Sequence, residues 1–348
     1  MHRRQAPVGG DVGGDREAPA GERDRGRGHP PRPGARVTWG SEPRVVALGG
    51  GHGLAASLSA LRRLTGDLTA VVTVADNGGS SGRLREEFGV LPPGDLRMAL
   101  AALCGDDRWG QTWAKVLQHR FTSEGEMDGH AVGNLLIVAL WELLDDHVAG
   151  LDWVGGLLGA RGRVLPMAIT PLDITASVSF GADVRVVRGQ VEVARTAGKV
   201  LDVELDPLDP KACPEAVRAI ADADWVVLGP GSWYSSVIPH VLVPEQREAL
   251  TTTSAKVLVN LNLVAQPGET EGYTPEDHLA VLHRHAPDLR VDVVLADRRS
   301  VPDEAALRSA CEELGASLVM SDVARDDVAD QHDSEKLSRA YAAILGAN

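Results

Sequence analysis

Residues 44–54 read RVVALGGGHGL. Val45, Val46, Ala47 and Leu48 form an unbroken apolar run, glycines and a histidine follow, and a helical pattern starts at Leu54. A strand without polar alternation is buried on both faces, as strands of parallel sheets are. A glycine loop between such a strand and a helix lets the backbone approach a ligand closely, and the helix start offers free N–H groups. The same glycines also serve a turn that is merely tight. The loop has neither the GxGxxG order of a dinucleotide site nor the GK[ST] of a phosphate loop, which disfavours a dinucleotide-dependent oxidoreductase.

The same unit recurs along the chain. Strands are predicted over 44–49, 70–75, 224–229, 256–262, 291–296 and 317–320, and helices over 54–64, 95–104, 131–145, 213–222, 275–285, 303–314 and 334–345. Thr274-Pro275-Glu276-Asp277 supplies one helix with a cap, a proline at the first helical position and an acid at the third. Apolar strands separated by helices imply an α/β fold with a doubly wound, mostly parallel sheet and helices on both faces. Residues 164–205 break the rhythm with short strands around turns and read as a small β-rich insertion. Residues 1–42, rich in Gly, Pro, Arg and Asp, are too poor in apolar side chains to offset their ordering entropy and read as a disordered tail. Residues 43–348 read as a single domain.

Bulk properties narrow the function. The 348 residues carry 35 basic against 49 acidic side chains, a formal net charge of −14, which argues against a nucleic-acid or anionic-membrane surface. Any phosphate must therefore be held locally, by loops. Cys104, Cys213 and Cys311 form no CxxC, so neither a disulfide framework nor a zinc cage is expected, and a reducing cytoplasm fits. The apolar run from Leu135 is interrupted by Glu142 and falls short of the ~20 residues a membrane span needs. The N-terminal arginines are followed by no apolar segment of the secretory kind.

In doubly wound sheets ligands bind beyond the carboxyl ends of the strands. Besides the GGGHG loop, residues 75–83, ADNGGSSGR, follow a strand with more polar functionality than a turn requires. Asp76 stands about 25 residues beyond Gly51, near where an acid meets a ribose or a metal in nucleotide folds. Ser80 and Ser81 are donors for phosphate, and Arg83 suits its forked recognition. Asp95 is either a further carboxylate of this region or a helix cap. A third loop, Gly229-Pro230-Gly231-Ser232-Trp233-Tyr234-Ser235-Ser236, is an anion cradle or a rigid turn with capping serines. His130 is a structural histidine or a site residue, and Asn134 beside it has the paired donor and acceptor that read a base or sugar edge. Two or three charge-assisted contacts at roughly 1.5–3 kcal/mol each are largely consumed by an association cost of about 4–15 kcal/mol. A base or sugar pocket must add contacts, and Trp233, Tyr234, Asn260 and Asn262 are available for it.

Five stretches in this order, GGGHGL, VTVADNGGSSGRLREEFGVLPPGDLR, GHAVGNLL, VLGPGSWYSSVIPHVLVP and QPGETEGYTPEDH, resemble the YvcK-type gluconeogenesis factors of the CofD-like superfamily. The resemblance covers about residues 44–345, and the arginine-rich, lysine-poor chain is similar to its actinobacterial branch. It implies a Rossmann-like fold, a cytoplasmic location, a dimer, and binding of UDP-sugars such as UDP-N-acetylglucosamine. The implied role is regulatory, through a protein partner in cell-wall control, supporting wall synthesis and cell shape on gluconeogenic carbon sources. On this resemblance Gly50, Gly51, His52 and Gly53 cradle the diphosphate, and Asp76, Asn77, Gly79, Ser80, Ser81 and Arg83 read ribose or phosphate. His130 and Asn134 complete the ligand set with Gly229, Gly231, Ser232, Ser235 and Asn262 on the far side. No cofactor is required and no residue is catalytic. The alternative is a CofD-type transfer of a phospholactyl group to a deazaflavin, with Mg²⁺ on Asp76 and Asp95. The family's usual Asp-Asp pair is Asp76-Asn77 here, which removes one hard anionic ligand.

Overall fold

A computed structural model describes residues 42–346. Ten strands are present there: β1 (Val45–Gly49), β2 (Leu68–Val72), β3 (Arg163–Pro166), β4 (Asp173–Phe180), β5 (Asp183–Arg188), β6 (Lys199–Asp206), β7 (Trp225–Leu228), β8 (Lys256–Asn260), β9 (Val293–Asp297) and β10 (Ser317–Ser321). Seven of them form one parallel sheet in the order β10-β9-β8-β7-β1-β2-β3. The chain builds outward from β1 to β3, then returns to the other side of β1 and builds outward again to β10. The order therefore reverses between β1 and β7, where Val45 lies opposite Leu68 on one side and opposite Trp225 on the other.

Every residue of β1 and β7 is buried. Successive strand residues point to opposite faces, so both faces of the sheet are covered. Helix α1 (Gly51–Leu61) packs against α3 (Gly94–Leu103) and the helix Ser334–Leu345, and the helix Pro214–Asp222 packs against Pro244–Thr252. Between α1 and α3 in sequence lies α2 (Gly79–Phe88), and α4 (Arg108–Gln118), α5 (Val132–Leu144) and α6 (His147–Leu158) follow before β3. Thr274 and Asp277 form a reciprocal cap on the helix Pro275–His285.

Several boundaries differ from the sequence reading. Helix α1 starts at Gly51 rather than Leu54, so Gly51, His52 and Gly53 form its first turn. The second strand ends at Val72, and the stretch read as one polar loop becomes helix at Gly79, which places Ser80, Ser81 and Arg83 on α2. Residues 163–166 belong to the main sheet, and the insertion proper is the antiparallel sheet β5-β4-β6 with the short helix Gln190–Ala194. Ile174, Ala176 and Val178 of β4 face inward between less buried neighbours, the alternation of a sheet with one covered face. Apart from Glu42, the tail read over residues 1–42 lies outside the described residues. Among the described residues no helix is long and apolar enough to cross a membrane.

Candidate functional site

The segments that leave the carboxyl ends of β1, β2, β7 and β8 meet around the reversal point. Gly53 presses on the Gly229–Gly231 segment so closely that a Cβ there would overlap the Pro230 carbonyl. At Gly50 a Cβ would meet Asp95 Oδ2 and Thr73 Cγ2 at 2.5 Å and Ser236 Oγ at 3.2 Å. Gly50 caps α1 without any side-chain hydrogen bond, and the Gly51 N–H is taken by the Asp95 carboxylate. His52 is exposed beside it.

The second segment is built around a buried polar chain. Ser80 Oγ accepts from Asn134 Nδ2 at 3.0 Å and from the Ala131 N–H at 3.3 Å, which leaves its hydroxyl proton for His130 Nδ1 at 3.1 Å. Asn134 Oδ1 accepts from Arg97 Nε at 2.8 Å. His130 thus has its Nδ1 unprotonated, and burial, followed by the Arg83 charge, lowers its pKa. Arg83 donates to the carbonyls of Glu126 and Asp128. Asp76 accepts from the Gly78 N–H at 2.8 Å, and a Cβ at Gly94 would meet Asp76 Oδ2 at 2.9 Å and also Ser81 Oγ. Asn77 turns toward the insertion, while Gly79, with open space around it, begins α2.

The third segment is a π-helical turn, Trp233–Val237, and it is held from below. The buried Glu269 carboxylate accepts from the Tyr234 N–H and from the Ser235 hydroxyl. Asn262 clasps Gly231 from both ends of its amide, at 3.0 and 2.8 Å, and Gln266 donates to Ser232 Oγ at 3.1 Å. Gly229 is fixed by Ser57, which donates to its carbonyl, and by its own N–H on Leu48. Gly50, Gly51, Gly53, Asp76, Ser81, Gly229 and Gly231 therefore gather at one edge of the sheet. The side chains of Asn77, Ser80, Arg83, Asn134, Ser235 and Asn262 are spent on other parts of the protein.

Four residues with no place in the ligand set read from sequence belong to this site. Thr73 Oγ1 and Arg97 Nη1 are buried without a partner among the described residues, Ser236 faces Gly50 where Ser235 does not, and Glu269 holds the π-helical turn. Arg97 was findable as a cation two residues after Asp95, at the start of the apolar run of the helix GDLRMALAAL. Nothing local in QPGETEGY marks Glu269 as the buried acid.

A family profile described as 2-phospho-L-lactate transferase CofD matches residues 45–338, most of the chain and all of these segments. The chain belongs to the CofD family. A Mycobacterium leprae protein named "Putative gluconeogenesis factor" is 53% identical over 90% of this chain and 89% of its own. The Listeria monocytogenes protein named "Gluconeogenesis factor" is 34% identical over 88% of this chain and 96% of its own. Among solved structures, a UPF0052-family protein of Bacillus halodurans superposes with a TM-score of 0.77 at 32% identity, covering 86% of this chain and 99% of that one.

The electrostatics of this CofD-family edge are those of opposed charges. Burial, and then the nearby Asp76 charge, raise Asp95 to about 7. Burial, and then the like charge of Arg120, lower Arg97 to about 10, still protonated at neutral pH. The edge thus sets two carboxylates, one of them accepting from the Gly51 N–H at the start of α1, beside a buried guanidinium. Among the described residues no group of three or more His, Cys, Asp or Glu side chains is arranged to hold a metal. Mg²⁺ is commonly held by one or two carboxylates with substrate phosphates completing its shell, so Asp76 and Asp95 fit that ion.

Proposed function

We propose that the chain binds a nucleotide sugar of the UDP-N-acetylglucosamine type across the β1/β7 reversal point. In this reading it acts in the cytoplasm as a regulator without turnover, supporting cell-wall synthesis and cell shape during growth on gluconeogenic carbon. The carrying observation is the backbone-on-backbone contact of Gly53 with Pro230 at an α1 start whose N-cap, Gly50, has no side chain of its own. Such an edge accepts a diphosphate through N–H groups and the positive end of the helix. The names of the Listeria and Mycobacterium relatives support the metabolic context. A dimer and a protein partner in cell-wall control belong to the same reading.

The Asp76–Asp95 pair favours a second reading, a CofD-type transferase in which Mg²⁺ on both carboxylates neutralises substrate phosphates. Calorimetry against UDP-N-acetylglucosamine, UDP-glucose, GDP, NAD and a deazaflavin, each with and without Mg²⁺, separates the two. Binding of the UDP-sugars in Mg²⁺-free buffer supports the regulator. Binding of the deazaflavin, or UDP-sugar binding only when Mg²⁺ is supplied, overturns the metal-free reading.

A further inference from the structure

The insertion is attached on both sides of the reversal point. On the β2 side, Asn77 Nδ2 donates to Glu192 Oε2 at 2.8 Å and Asn77 Oδ1 accepts from the Val191 N–H at 3.0 Å. Nearby, Arg85 of α2 pairs with Asp173 at 2.7 Å. On the β8 side, the Tyr273 hydroxyl donates to the Val200 carbonyl at 3.3 Å, and Gly268 packs on the backbone of Ala194 and Thr196. Strands β1 and β7 lie between β2 and β8 in the sheet, so the insertion bridges the segments that flank the candidate site.

We infer that Asn77 is a positioning residue that latches this β-lobe over the candidate site, with its amide matched to Glu192 and the Val191 N–H. The position demands a donor and an acceptor on one planar group, which a carboxamide supplies and a carboxylate does not. Gly189, at φ 102°, is fitted to the pair, because a Cβ there would overlap Glu192 and come 2.5 Å from Asn77 Nδ2. Aspartate at 77 would face Glu192 as a second carboxylate, keeping the bond from the Val191 N–H and turning the other into repulsion. The adjacent Asp76 and Gly78 lie on the same stretch, so a loosened latch reaches the site directly. This role differs in kind from one in which Asn77 contacts ligand or metal.

The affinity half of the inference rests on the nucleotide-sugar reading, and the exchange half does not. Hydrogen exchange over residues 183–198 and titration with UDP-N-acetylglucosamine, with and without Mg²⁺, are compared in the wild type, Asn77→Asp, Glu192→Gln and the double variant. Asn77→Asp is expected to raise exchange severalfold and weaken binding, while Glu192→Gln changes little because glutamine still accepts from Asn77. The double variant moves the carboxylate across the contact: the amide introduced at position 192 now donates to the carboxylate introduced at position 77, and exchange and affinity return to within about twofold of wild type. Repulsion between the new carboxylate and a diphosphate, or its capture of Mg²⁺, would persist in the double variant, so a double variant no better than Asn77→Asp overturns the latch. Unchanged exchange in Asn77→Asp overturns it as well. A wild type that binds no UDP-sugar sinks the proposed function, and the exchange data still decide the latch.

Discussion

Gly53, in the first turn of α1, leaves no room for a Cβ against the carbonyl of Pro230. Two strand-ending segments about 180 residues apart are thereby packed main chain to main chain at the carboxyl edge of the sheet, where doubly wound folds bind their ligands. Gly53→Ala should cost about 1–3 kcal/mol through forced backbone shifts. Gly156→Ala, on an exposed part of α6 with open space around it, should instead stabilise by up to about 1 kcal/mol. Urea denaturation of both variants reads the opposed signs, and a neutral Gly53→Ala would refute the close packing.

Asp95, held up at about 7, inverts the usual behaviour of a carboxylate. The folded chain keeps a proton that the unfolded chain has released, so the native state loses stability as pH climbs from about 4 to about 7, and the loss stays constant above. Asp95→Asn keeps an acceptor for the Gly51 N–H and removes the penalty. Part of Asp95 reaches solvent, so the expected gain is on the order of 2 kcal/mol at pH 8, shrinking toward pH 5. Melting temperatures across this range test it, and a gain independent of pH would argue against titration of Asp95.

Buried His240 works in the opposite direction. Its Nε2 lies 3.2 Å from the Gly49 carbonyl and must donate to it, Nδ1 accepts from Gln246 at 2.8 Å, and burial lowers the pKa to about 4. Between about 6.5 and 4 the unfolded chain binds a proton that the native ring refuses, so acidification costs up to about 1.4 kcal/mol per pH unit. His240→Gln retains an N–H for Gly49 and should flatten the decline in stability between pH 6.5 and 5. The half-buried His332, also held near 4 by desolvation, leaves part of the slope in place. An unchanged slope in the variant would exclude His240 as its source.

Arg97 is fixed through Asn134, and Asn134 through Ser80. Arg97→Met fills similar volume but strands the Asn134 carbonyl oxygen, at a cost of about 1–3 kcal/mol. In the proposed site it also removes a buried cation behind the diphosphate. UDP-sugar affinity should fall further than stability alone explains, and retention of full affinity in the folded variant would remove Arg97 from the site.

The parallel strands are legible because burial on both faces demands unbroken apolar runs, which few other structures need. Helix α2 is not, since GSSGRLREEF has the composition of a loop. Its first turn depends on contacts that no local pattern records: Ser80 on Asn134, and Gly82 packed against the Asn77 carbonyl. Helix α6 hides behind Gly150, Gly155 and Gly156, one of which makes room for Trp141. Strand β3 reads as part of the insertion because it is short, ends in Pro166 and pairs only with β2 at the edge of the sheet. At the site, sequence supplies the segments that gather and misses how their side chains are spent. Ser80, Ser235 and Asn262 have the chemistry of ligand donors, but long-range partners have claimed it.

The strand order also bears on how the chain is made. Strand β1 emerges early from the ribosome and finds β2 within a few dozen residues, yet its other edge waits for β7, paired through Val45 and Trp225. At about 5–20 residues per second that edge stays open for roughly 10–40 s of synthesis. An apolar central strand with unpaired N–H and C=O groups is a template for association with other nascent chains. Expression of this protein should therefore depend on holding chaperones and on translation speed through residues 50–225, whatever the stability of the finished fold.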